Sequence, residues 1–73
     1  MYGINVKFKE RDGWSSSYTY LSDVSYSKGQ ALVVPAGKWY SVVKVCGCRN
    51  NPKLQEHIKY KHVIAPLEIF END

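Results

Sequence analysis

Cysteine is scarce in this chain, and its placement excludes a disulfide-stapled fold. Cys46 and Cys48 are the only two and stand one residue apart, too close to cross-link distant segments as a small secreted framework requires. No apolar run approaches the roughly 18 residues of a membrane span. Met1 to Lys7 alternates polar and apolar residues instead of opening with a charged region and an apolar stretch, so no secretory signal is expected. These absences lead to the expectation of a cytoplasmic protein without membrane association. A glycine-rich phosphate loop is also missing, because Gly29, Gly37 and Gly47 are isolated turn positions. No two carboxylates fall on one expected strand face, since Glu68 and Glu71 belong to the tail. A nucleophile could be sought in Cys46 or Cys48 with His57 or His62. Such a site also needs an orienting group and an oxyanion hole in a concave pocket, and a filled barrel of 73 residues has little room for one. Neither an enzyme nor a cofactor is expected.

Acidic residues are sparse where basic ones are dense. Residues 38–62 carry Lys38, Lys44, Arg49, Lys53, Lys59 and Lys61 against Glu56 alone, a net of +5. The last eleven residues carry Glu68, Glu71 and Asp73, a net of −3, and the first 37 are nearly balanced at +1. The plain account of this asymmetry is a solvated face that keeps a small protein soluble. The alternative is a surface for a polyanion.

What the chain has in quantity is aromatic rings: six Tyr, two Trp and two Phe. Each can bury on the order of 150–250 Å², so a few can close the core of one small domain spanning residues 1–73. The period is two from the start. Ile4, Val6 and Phe8 alternate with Asn5, Lys7 and Lys9, the pattern of a half-buried strand. Asp12-Gly13 is a hairpin turn. A second strand is expected from Ser16 to Leu21, with Tyr18 and Tyr20 on one face, antiparallel to the first. Ala31-Leu32-Val33-Val34 is too short for a helix and rich in β-branched residues, the best candidate for a central strand, with Pro35-Ala36-Gly37 ending it. A fourth strand, Lys38 to Cys46, places Trp39, Ser41, Val43 and Val45 on the core side and Tyr40, Val42, Lys44 and Cys46 on the wetter side. Val33 and Val43 are expected on paired central strands, with Val33 buried in the core. Asn51-Pro52 suits the start of a short helical turn reaching about His57, since Asn caps well and Pro fits the first helical position. Tyr60 to Ala65 would be the last strand, with Leu67, Ile69 and Phe70 docking back on the core.

Five short strands, tight turns and one helical turn before the last strand describe an all-β, five-stranded SH3-like barrel. An OB-like barrel, or a three- or four-stranded sheet carrying one helix, are the alternatives. The segments Tyr18-Thr19-Tyr20, Lys28-Gly29-Gln30-Ala31-Leu32-Val33-Val34-Pro35, Val42-Val43-Lys44-Val45 and Tyr60-Lys61-His62-Val63-Ile64 resemble a pattern in small phage and prophage proteins. There the glycine is usually followed by Asp, where this chain has Gln30. The glycine, valine-rich strand and proline are also similar to the N-terminal DNA-binding domain of the primosomal replication-restart helicase. The likeness spans roughly residues 16–65 and implies a barrel of phage origin, acting in the host cytoplasm.

Two constellations could carry chemistry. Cys46, Cys48, His57 and His62 supply the ligand types of a tetrahedral zinc site. Their cysteine spacing is one residue short of the usual motif, and the expectation is that no metal is bound. The second constellation interleaves cations with rings. Lys38, Tyr40 and Lys44 lie on the fourth strand and Lys59, Tyr60 and Lys61 on the fifth. Were those strands neighbours, the tyrosines could stack bases while the lysines neutralise phosphates. Trp39 is expected in the core instead. The sequence thus points to a non-enzymatic binding module, a monomer or weak dimer, with nucleic acid as its partner. The alternative partner is a protein, and the phage resemblance would make that an inhibitor or adaptor acting on a host, for example defence, protein.

Overall fold

A computed structural model describes residues 1–67. Those residues form six strands: β1 (Tyr2–Glu10), β2 (Gly13–Trp14), β3 (Tyr18–Ser22), β4 (Ala31–Ala36), β5 (Trp39–Asn50) and β6 (Ala65–Pro66). The protein is all-β, and every strand pairing is antiparallel. The sheet runs β2-β1-β5-β4-β6, with β3 on the same edge of β1 as β2. It is not closed into a barrel. Instead of a ladder between β3 and β6, Leu21 makes one parallel bridge to His62. The segment before β6 spans the two sheet ends. Leu21 N–H donates to Lys61 O (2.8 Å) and Val63 N–H to Leu21 O (2.9 Å), while Ile64 N–H donates to Val33 O (3.0 Å).

The alternation of β1 is kept. Ile4 and Val6 are buried and join Tyr20, Leu32, Val34, Val43 and Val45 in one core, with Phe8 packed against it. Gly13 turns the first hairpin at a positive φ of 145°. The second expected strand forms as β3, and a separate two-residue strand, β2, precedes it; Ser15 lies between the two. Its N–H donates to Phe8 O (2.9 Å), and its hydroxyl accepts the Phe8 N–H (3.0 Å), standing in for a ladder partner. Tyr20, whose hydroxyl donates to Pro35 O (2.9 Å), is held above the usual tyrosine pKa by burial and, secondarily, by Tyr18. It stays protonated, as that donation requires.

Several expectations are corrected by the pairing. β4 does not stop at Pro35: Pro35 pairs with Tyr40 and Ala36 with Trp39, and the chain turns at Gly37-Lys38, with Gly37 at φ 59°. β4 and β5 pair as expected, but Val33 is not in the core: it pairs with Val42 on the outer side, while Leu32, opposite Val43, and Val34 are fully buried. Trp39 has the expected parity but is 78% exposed, because the hairpin tip overshoots the core. β5 runs on to Asn50 through a bulge: Val6 pairs with Val45 and Asn5 with Gly47, leaving Cys46 as the extra residue. Its thiol donates to Asn5 O (3.3 Å).

No helix forms among the described residues, so none is long and apolar enough to cross a membrane. Asn51 adopts φ 50° instead of capping a helix, and its N–H ties the end of β5 to Met1 O (3.0 Å). Pro52 packs on Gly3, so closely that a Cβ there would sit 2.8 Å from the proline Cγ. Only one turn follows, closed by Ile58 N–H donating to Gln55 O (3.2 Å). The last strand is Ala65–Pro66 in place of Tyr60 to Ala65. Leu67 N–H donates to Ala31 O (3.1 Å); the expected docking of Ile69 and Phe70 lies outside the described residues.

Candidate nucleic-acid interface along β3

The structure divides the six basic and aromatic candidates into two groups. Lys38 sits in the turn before β5, and Tyr40 and Lys44 stand on the outer face of β5, where Lys44 Nζ reaches Gly29 O (3.4 Å). Lys59, Tyr60 and Lys61 lie on the segment leading to the bridge with β3. The strand next to β5 is β1 on one side and β4 on the other, so the two groups do not form one strand pair as the sequence reading supposed.

Lys59, Tyr60 and Lys61 meet different partners. Between them and β3 opens a groove of about 400 Å³, walled by Ser17 to Tyr20 on one side and by Gln55, Ile58 and Lys59 to Lys61 on the other. The segment hydrogen-bonds to β3 at Leu21, through the bonds to Lys61 and Val63, and the groove lies N-terminal to that link. Leu21 turns its N–H and C=O away from β1. In an antiparallel ladder Thr19, two residues earlier, turns its own the same way, into the mouth of the groove. The Thr19 side chain is fixed by donating to Asn5 Oδ1 (2.9 Å). The Tyr60 hydroxyl accepts the Gln55 N–H (3.1 Å), which orients the ring.

The groove continues at both ends. Past Thr19 and Tyr60 lies a hollow of about 230 Å³ that adds Arg49 and Lys53. Past Tyr18, Tyr20 and Lys61 lies one of about 350 Å³ that reaches Phe8, Ser15 and Gly37. The result is a track with Lys61, Lys59, Lys53 and Arg49 along it and Tyr18 and Tyr60 within it. Glu10, at the Gly37 end, is the only carboxylate among its described walls. Tyr18 is 53% exposed and braced edge-on by Phe8, at 5.4 Å between ring centroids and 83° between planes. A ring held so presents a surface on which a base can stack.

The zinc-type residues are not assembled. Cys46 is the bulge residue, Cys48 pairs across from Ile4, His57 is in the turn after Glu56 and His62 is at the bridge to β3. Among the described residues no three His, Cys, Asp or Glu side chains gather as a metal would need. Tyr18, Thr19 and Tyr20, which form one wall of the groove, are not among the residues the sequence singles out for binding. The available signal was their alternation with serine and threonine, but nothing local announces a parallel bridge to residues forty positions away. Comparison with family models, with curated proteins and with solved structures returned no match.

Proposed function

We propose that this domain is a non-enzymatic binding module that takes single-stranded nucleic acid along the β3 groove. The observation that carries the reading is a set of three adjoining hollows lined by four cations, the exposed Tyr18 and the partly buried Tyr60, with Glu10 the one carboxylate among their described walls. Phosphates passing Lys59, Lys61, Lys53 and Arg49 would release counterions, and bases would stack on Tyr18 and Tyr60. The Thr19 main chain offers one donor and one acceptor to a base edge. A single strand is favoured over a double helix because ring stacking requires unpaired, unstacked bases. A phage origin and action in the host cytoplasm go with the sequence resemblance.

The test is fluorescence anisotropy of a labelled single-stranded oligonucleotide across a salt series. Affinity should fall steeply with salt, and Lys59→Glu with Lys61→Glu should weaken binding to all sequences alike. The double change should also flatten the log–log slope by about 1.4, from roughly 0.7 per lost phosphate contact. Absence of binding to both DNA and RNA at low salt contradicts the reading.

A second reading, an inhibitor or adaptor bound to a host protein such as a defence protein, is favoured by one observation. Trp39 and Tyr40 at the β4–β5 hairpin are 78% and 67% exposed, and aromatic residues of this kind anchor protein interfaces.

A further inference from the structure

The outer face of β4 and β5 is apolar over much of its area. Val33 pairs with Val42 and Pro35 with Tyr40 on this side, and Ile64 and Leu67 join Val33 and Tyr40 around a hollow of about 450 Å³. Tyr40, Val42 and Ile64 are 67%, 50% and 48% exposed. Exposed apolar side chains scattered singly are ordinary, but a contiguous set around a hollow marks an interaction surface.

The charge beside that patch has one sign. The next row across the face is Ala31, Lys44 and Lys7, with Lys44 and Lys7 directly opposed in register. Like charges opposed across an antiparallel pair are unfavourable, and a carboxylate between them would reverse that. Lys9 follows on the same side of β1, its ammonium 5.4 Å from the Trp14 ring centroid. Glu10 has the parity of Phe8 and lines the hollow on the inner side with it.

We propose that this face docks an acidic peptide segment of another protein, its one or two large apolar side chains filling the hollow and its carboxylates meeting Lys44 and Lys7. The proposal rests on the protein-binding reading and supplies that reading's surface and partner chemistry; it is independent of the β3 groove. A nucleic acid would find lysines here but few polar partners in the hollow, and a second copy of the face would set lysines against lysines.

The experiment titrates the full chain into three labelled eleven-residue peptides that share Leu and Phe at alternate positions and differ only in the others: Asp and Glu, Ser and Gln, or Lys. The expected result is binding of the acidic peptide, at least tenfold weaker binding of the neutral one and none of the lysine one. Val42→Glu and, separately, Lys44→Glu should each weaken the acidic peptide at least fivefold, without shifting thermal unfolding or oligonucleotide affinity. Equal binding of the acidic and neutral peptides overturns the proposed charge recognition but leaves the protein-binding reading standing. Insensitivity of acidic-peptide binding to both substitutions places it elsewhere and overturns the docking face. A dimer in sedimentation that Val42→Glu dissociates overturns the proposal in favour of self-association. Binding of none of the peptides removes both the proposal and this face as support for the protein-binding reading.

Discussion

Single residues decide which side of the sheet is core. In β4, Leu32 and Val34 are fully buried while Val33 between them points outward, so neighbouring positions of similar chemistry have opposite sensitivity. Placing an unpaired carboxylate in the core costs several kcal/mol. A chain this short has on the order of 4–10 kcal/mol of stability in total. Leu32→Asp should therefore leave the chain largely unfolded, whereas Val33→Asp should keep the native circular dichroism spectrum and a cooperative melt. Equal loss in both variants would refute the assignment of faces. Much of this was legible from residue types alone: Ile4, Val6, Val43 and Val45 all occupy the core their alternation implied. The phase of Ala31-Leu32-Val33-Val34 was not, because a continuous apolar run has no internal signal of which alternate set points in. Trp39 follows the alternation of β5 and still lies in solvent, since parity says nothing about where along a strand the core ends.

Elements depend on contacts that the local sequence does not show. Asn51-Pro52 has good helix-start chemistry, yet the tertiary structure uses both residues differently. Asn51 donates to Met1 O (3.0 Å), and Pro52 covers Gly3, whose missing side chain leaves room for it. These contacts hold the connection between β5 and the last segment against the first strand, and that connection positions Tyr60. Gly3→Ala would put a methyl 2.8–2.9 Å from two proline carbons. Overpacking of this kind costs about 1–3 kcal/mol. Chemical denaturation should show that loss, and oligonucleotide affinity should fall with it as Pro52 and the segment after it shift. An unchanged denaturation midpoint would mean that Pro52 does not anchor the connection. The bulge at Cys46 was equally hidden, because an extra residue in one strand is visible only against its partner's register. It separates the environments of Cys46 and Cys48, which strict alternation would have placed on one face.

The whole molecule is an antiparallel sheet whose two ends are spanned by one short segment, Lys61 to Leu67. That segment has two consequences for binding. N-terminal to its hydrogen bonds with Leu21 of β3 lies the basic, tyrosine-bearing groove; where it lies beside β4, Ile64 and Leu67 extend the apolar outer face. The sequence showed the ingredients of both surfaces, lysines interleaved with tyrosines in the second half. It did not show that Lys59, Tyr60 and Lys61 would meet Tyr18 to Tyr20 instead of Tyr40 and Lys44, because that depends on a pairing between residues far apart in the chain. Chemical-shift mapping of the full chain, with a single-stranded oligonucleotide added at low salt, tests the central claim most directly. The account predicts that the largest amide perturbations fall on Tyr18, Thr19 and Lys59 to Lys61, with smaller ones at Arg49 and Lys53 and none at Val33 or Val42. Perturbations confined to Tyr40, Val42 and Lys44, or none at all, would contradict it.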